Sequence, residues 1–171
     1  RELNSNQPLI DTWHIDVLTD YLERVAKGEI KRLIINLPPR CLKSLAASIA
    51  LPVWMHGRNP ALKIMSIAGS RELAGDFERG TQELMRAPRC RALFPHLKPE
   101  GPSGNLYLPH GGQRISCVVG RILVGRGADL IVIDDPIAPA RVHDEPRRGA
   151  INKWFDAEVI LERLLATLIV A

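Results

Sequence analysis

Two short stretches carry side chains able to do phosphate chemistry. Lys43-Ser44 follows the apolar run Leu33-Ile34-Ile35-Asn36-Leu37 and the segment Pro38-Pro39-Arg40-Cys41-Leu42, and it opens a stretch of helical period. A strand, a tight loop and Lys-Ser at a helix start form the setting of a phosphate-binding loop. Backbone N–H groups and the helix N-terminus face the phosphates, the lysine reaches the β- and γ-phosphates, and the serine hydroxyl ligates magnesium. The pattern G-x-x-x-x-G-K-[ST] is not met, because Leu37 stands at its first glycine and Leu42 at its second. Taken alone, Lys-Ser reads as a solvated first turn. The second stretch is Leu130-Ile131-Val132-Ile133-Asp134-Asp135. Asp134 could hold magnesium directly or through water, since that ion favours one or two carboxylates plus phosphate oxygens. Asp135 could orient or deprotonate an attacking water. Alone, Asp-Asp-Pro is a polar turn after a buried strand. Together, the stretches put a cation and two acids at the carboxyl ends of two strands, where ligand sites of open α/β sheets lie.

The elements between these stretches predict how they are positioned. Apolar residues at Ile10, Trp13, Val17, Leu18, Tyr21, Leu22 and Val25 recur at intervals of three and four, predicting an amphipathic helix that stops near Lys27-Gly28. Arg32 to Leu37 reads as a short strand whose unbroken apolar run suits cover on both faces. From Lys43, the residues Leu45, Ala46, Ile49, Ala50, Val53 and Trp54 return to helical period. Leu62 to Ala68 reads as a strand, and Arg71 to Met85 as a helix capped by Ser70. Pro88 to Gly104 reads as irregular. Leu106-Tyr107-Leu108 and Arg114 to Val119 flank His110-Gly111-Gly112 as a hairpin. Pro146 to Leu165 predicts a helix, and a last strand follows it. The alternation predicts an α/β, doubly wound, mostly parallel sheet with helices on both faces and an inserted β-hairpin; the Lys43-Ser44 and Asp134-Asp135 stretches on it would make it P-loop NTPase-type.

Composition narrows the classes. The chain has 171 residues, 46% hydrophobic and 25% charged, with aromatics at 5%, so an aliphatic core in one ordinary globular domain is expected rather than a disordered or fibrous chain. Lys plus Arg exceeds Asp plus Glu by 23 to 19, a net +4 compatible with a polyanionic partner without identifying one. Cys41, Cys90 and Cys117 have no zinc or thioredoxin spacing, which suits a reducing interior. The apolar runs fall short of the about 20 residues that a membrane span needs. No signal peptide opens the chain, so an intracellular protein without a membrane partner is expected. The first residue is Arg1 and the last stretch, Ala166 to Ala171, breaks off as a strand, which suggests a piece of something longer.

The runs Arg32 to Ser44 and Gly125 to Pro136, with Asn152-Lys153-Trp154-Phe155 and Glu162-Arg163-Leu164 after them, resemble phage terminase large subunits in order along nearly the whole chain. The resemblance implies the N-terminal ATPase domain of a DNA-packaging motor, with residues 1–31 as a helical lead-in and 32–171 as the P-loop core. It implies ATP and Mg2+ as cofactors, and the nucleotide cradled by Pro39, Arg40, Cys41, Leu42, Lys43 and Ser44. Magnesium would lie on Ser44 and Asp134, and Lys43, Arg126 and Asp135 would be catalytic, Asp135 replacing the usual glutamate. Duplex DNA, a portal, a small terminase subunit and a homo-oligomeric ring are the implied partners, and the cytoplasm of a bacterial host the implied location. The chain would then stop before the coupling motif and the nuclease domain, and it should not cut DNA.

The family commonly has His-Gly where this chain has Cys41-Leu42, and a Cβ at the glycine position predicts weakened nucleotide binding. A non-catalytic prophage relic or assembly module that keeps the fold is the alternative. A helicase-like ATPase would explain the two strands but not the Pro-Pro-Arg and Gly-Arg-Gly-Ala-Asp runs. Arg126 reads either as a phosphate-stabilising arginine, in cis or across a subunit boundary, or as a loop arginine in water. Trp13 fits the stripe of its helix and is assigned to the core, while His14 and Gln7-Pro8 fall where the family places an adenine-contacting segment. Cys41 reads as a reactive thiol or an inert one. Arg86, Arg89, Arg91, Arg147 and Arg148 read as surface charge or as contacts to DNA phosphates.

Overall fold

The computed structural model describes residues 12–98, 105–121, 127–159 and 167–171. Six strands form one sheet in the order β1 (Arg32–Ile34), β6 (Thr167–Val170), β5 (Leu130–Asp134), β2 (Lys63–Ala68), β4 (Gln113–Val118) and β3 (Asn105–Tyr107). Every neighbouring pair is parallel except β3 with β4, so the sheet is mostly parallel with a hairpin strand at one edge. This is the predicted α/β architecture.

Side-chain alternation sorts the strands onto two faces. Ile64, Leu130, Val132 and Ile169 pack with α1 (Trp13–Ala26) and the helical run that starts at Lys43. Met65, Ile67, Ile131, Ile133 and Leu168 pack on the opposite face against Val159, Trp154 and Phe155, at the end of α5 (Glu145–Trp154) and in the π-helical turn Phe155–Val159. A third cluster joins Val53 of α2 (Leu51–Arg58) and Met85 of α3 (Arg71–Arg86) to Leu106 and Leu108 at the hairpin. Ser70 caps α3 as expected, its hydroxyl accepting the Leu73 N–H.

Several expectations change. β1 ends at Ile34 rather than Leu37, and Ile34 is 72% exposed. Leu33 and Ile35 pack into the α1 side of the core while Ile34 faces outward, so this segment is covered on one face rather than two; among the described residues β1 pairs only with β6, at a sheet edge, and Pro38 and Pro39 beyond it have no N–H to extend the ladder. A short helix, α4 (Pro88–Leu93), opens the stretch expected to be irregular, because a proline at the first helical position costs no hydrogen bond. α5 passes into a π-helical turn, and its expected continuation to Leu165 lies outside the described residues, as do Glu162-Arg163-Leu164. Trp13 is 77% exposed, so it is not core; Leu18, Leu22 and Val25 form the buried side of α1, whereas Val17 and Tyr21 stand out with Trp13. Among the described residues no helix is long and apolar enough to cross a membrane.

Candidate functional site

Lys43, Asp134 and Asp135 meet, although 91 residues separate the lysine from the first acid in sequence. The Lys43 ammonium donates to Asp135 Oδ1 at 2.6 Å and lies 3.5 Å from Asp134 Oδ1. β6 sets that separation, lying between β1 and β5 and holding both loops. Its Val170 carbonyl accepts the Ile35 N–H at 2.8 Å, and the Ala171 carbonyl accepts the Asp135 N–H at 3.0 Å. The result is a cleft of about 590 Å³ at the carboxyl end of the sheet, lined by Leu37, Pro38, Lys43, Asp135, Pro136 and Ala171 among others.

The two acids are differently placed. Asp135 is on the surface, with its side chain 55% exposed, whereas Asp134 at the end of β5 is 1% exposed. Burying a carboxylate requires hydrogen bonds or an opposite charge. Ser48 supplies one, its hydroxyl donating to Asp134 Oδ2 at 2.6 Å. Asp134 Oδ1 accepts no hydrogen bond and is turned toward Lys43. A buried, unshared carboxylate oxygen beside a single ammonium fits a cation that brings its own further ligands. Among the described residues no group of three or more His, Cys, Asp or Glu side chains gathers for a metal, so water and phosphate would complete such a shell, as magnesium prefers.

The loop before Lys43 places two side chains in the left-handed region. Arg40 and Leu42 both have positive φ, 66° and 61°. Leu42 occupies the second glycine position of the motif, and an L side chain in the left-handed region costs about 1–2 kcal/mol. Lys43 and Ser44 begin the helical run; Ser44 is half-buried, and its hydroxyl does not cap the helix. Pro39 and Arg40 are exposed, while Cys41 is a free, half-buried thiol. Arg126 lies outside the described residues, as do Gln7 and Pro8. His14 shares a hydrogen bond with the Thr12 hydroxyl at 2.9 Å, and with Trp13 it lines a separate pocket of about 350 Å³ against Leu33 to Leu37.

No family model matches the chain, and no curated protein matches it. Solved structures do. The HK97 bacteriophage large terminase superposes with a TM-score of 0.59 at 16% identity, over 97% of this chain and 34% of that one. A mutant of the large terminase ATPase domain of Thermus phage P74-26 superposes with a TM-score of 0.56 at 16% identity, over 93% of this chain and 68% of that one. The fold is that of phage large-terminase ATPase domains. The chain spans about a third of the length of the HK97 terminase.

On this terminase fold, Lys43, Asp134 and Asp135, singled out in the sequence, converge. Sequence reasoning missed Ser48 and Gly69. Ser48 lies four residues after Ser44, one turn along the same helix, and that interval was its only signal. Gly69 follows β2, and a Cβ built there would lie 2.1 Å from the Asp135 carbonyl oxygen. Only glycine lets that backbone carry the acid so close to β2. Gly69→Ala is therefore expected to push the acidic loop away and to destabilise the fold by about 1–3 kcal/mol. A denaturation midpoint unchanged from wild type would refute that expectation.

Proposed function

We propose that the chain is a magnesium-dependent ATPase domain of a DNA-packaging motor. The observation that carries the reading is one ammonium bridging two carboxylates of unequal burial across two strand ends, beside a phosphate-loop segment on the terminase fold. Pro39, Arg40, Cys41, Leu42, Lys43 and Ser44 cradle the phosphates, with the helix start at Lys43-Ser44 directed at them. Lys43 exchanges its carboxylate partners for β- and γ-phosphate oxygens. Asp134, held by Ser48, and Ser44 are the residues that would hold magnesium. That ion supplies charge neutralisation on the phosphate oxygens when bound. Asp135, freed from Lys43 and open to solvent, orients the water in line with the γ-phosphorus and accepts its proton as ADP leaves. Arg126 adds positive charge to the transferring group.

Duplex DNA is the motor's load, with portal, small terminase subunit and sister subunits as partners in the bacterial cytoplasm. The rim formed by Arg86, Arg91 and Lys98 around a 470 Å³ pocket floored by Met85, Pro95 and Leu97 is a basic surface for DNA phosphates.

A second reading, a module that keeps the fold without hydrolysis, is favoured by Leu42, whose positive φ places a bulky side chain in the loop. One experiment separates the two. Steady-state Mg-ATP hydrolysis is measured with and without duplex DNA, comparing wild type with Asp135→Asn. A DNA-stimulated rate that the variant loses is expected; equal rates for both proteins would leave the non-hydrolysing module. In a calorimetric titration, Leu42→Gly is expected to tighten ATP binding by about tenfold, because no Cβ then stands between the loop backbone and the phosphates. Equal affinity in the two proteins would mean that Leu42 does no harm.

A further inference from the structure

We infer that Arg114 is a positioning residue for the magnesium-bearing side of the nucleotide site, acting through the backbone of Ser48; the inference rests on the ATP-binding reading above. The chain of causes begins at Pro52. In an α-helix the N–H of residue 52 would donate to the carbonyl of residue 48, and proline has no N–H and crowds that carbonyl. The helix answers by widening. Leu45–Ala50 is π-helical, with the Leu51 N–H reaching back five residues to the Ala46 carbonyl, and α-helical geometry resumes at Leu51. Such turns recur at functional sites because they re-aim side chains. Here the turn directs the Ser48 hydroxyl onto Asp134 Oδ2.

Arg114 supplies a donor to the carbonyl that Pro52 cannot serve. It lies on β4, opposite Ile64, with its side chain on the sheet face that carries Ser66 and the π-turn. Nη2 donates to the Ser48 carbonyl at 3.4 Å and to the Ser66 hydroxyl at 3.0 Å, and Nη1 donates to the Ser116 hydroxyl at 2.9 Å. Arg114 is 1% exposed. Burial pulls its pKa down to about 10, opposed by the charge of Glu78, so it remains a cation at neutral pH. Keeping a buried guanidinium is costly, and a neutral strand residue would fill the space without that cost. What guanidinium adds is a rigid planar fork that reaches the serines of two strands and one helix carbonyl together. Ser48 is thus held twice, by its carbonyl on Arg114 and by its hydroxyl on Asp134. The fork fixes the turn, the turn fixes Ser48, and Ser48 fixes which Asp134 oxygen faces Lys43.

The inference is tested with the whole chain, using Arg114→Lys, which keeps the buried charge but loses the fork, Arg114→Met, Ser48→Ala and the double variant Arg114→Lys/Ser48→Ala. Calorimetric titration of ATP is run in EDTA and across a Mg2+ series, and amide hydrogen exchange is followed without nucleotide. Expected results are about tenfold faster exchange confined to residues 45–51 in both Arg114 variants, and a Mg2+ midpoint raised about tenfold. Metal-free ATP affinity should stay within about twofold, and the double variant should be no worse than Ser48→Ala. An unmoved Mg2+ midpoint, metal-free affinity falling in step with it, or effects that multiply in the double variant would each overturn the positioning role while leaving ATP binding intact. Should Arg114→Met not fold, Arg114→Lys decides alone by the same criteria. Wild type that binds no ATP with or without Mg2+ overturns the ATPase reading and the positioning role with it. The exchange data then report only whether the fork holds the turn.

Discussion

Lys43→Ala is expected to abolish Mg-ATP hydrolysis, by about a hundredfold or more, and also to lower stability by about 2–3 kcal/mol. The second effect separates this lysine from an ordinary surface one, whose removal changes stability little. Among the described residues its ammonium is the one countercharge paired with Asp134, which is 1% exposed and has one oxygen without a hydrogen bond. Removing the cation leaves a buried carboxylate held by Ser48 alone. Adding Asp134→Asn to Lys43→Ala should therefore recover most of the stability and none of the hydrolysis. Denaturant unfolding at pH 7 beside a phosphate-release assay reads both quantities. Lys43→Ala as stable as wild type would mean that the ion pair contributes nothing to the fold.

Acid should unfold the protein partly through His56. This side chain is 0% exposed, its Nε2 lies 3.1 Å from the Leu62 carbonyl, and its Nδ1 has no partner. A carbonyl can only accept, so Nε2 carries the hydrogen of the neutral ring, and a second proton would charge a ring shut away from water with no hydrogen bond at Nδ1. Burial, opposed by the Leu62 and Gln113 backbone and reinforced by the nearby Arg114 charge, lowers the His56 pKa from 6.5 to about 4. Between those values the unfolded chain binds a proton that the folded chain refuses, so stability rises with pH across the window. It is fully present above pH 6.5 and declines as pH falls toward 4, by about 3 kcal/mol from this group. His56→Gln, which retains a donor for Leu62, should be less stable than wild type at pH 7.5 and should close the gap as pH falls to 4.5. A gap that stays constant over that range would show that His56 does not titrate in this way.

What could be read in the sequence was whatever periodicity and local chemistry announce. Leu130 to Asp134 and the Ser70-capped helix α3 are local patterns, and the structure reproduces them nearly residue for residue. Strand order was not local. β6 comes last in sequence and inserts between β1 and β5, and nothing in Thr167 to Val170 announces that it will hold Lys43 and Asp135 to one distance. Exposure was misread where an apolar residue lies at an edge: Ile34 and Trp13 have the types of core residues but no described element over them. Arg114 is the reverse, a charged residue in an alternating strand whose burial depends on serines distant in sequence. Pro52 was visible all along, but its meaning required knowing that an arginine lies beside the carbonyl it leaves unserved.

The contact between Lys43 and its two acids also has a thermodynamic consequence. On the ATPase reading proposed above, a phosphate group arriving at the loop would have to compete with carboxylates tethered a few ångströms from the same ammonium. The chain would then carry its own competitive inhibitor, whose local concentration dilution cannot lower. A divalent cation on Asp134 would weaken that inhibitor, so cation and nucleotide would each promote the other's binding beyond their affinity for one another in water. Linkage would make the gain equal in both directions. On that reading the resting site would favour the loaded pair over either component alone.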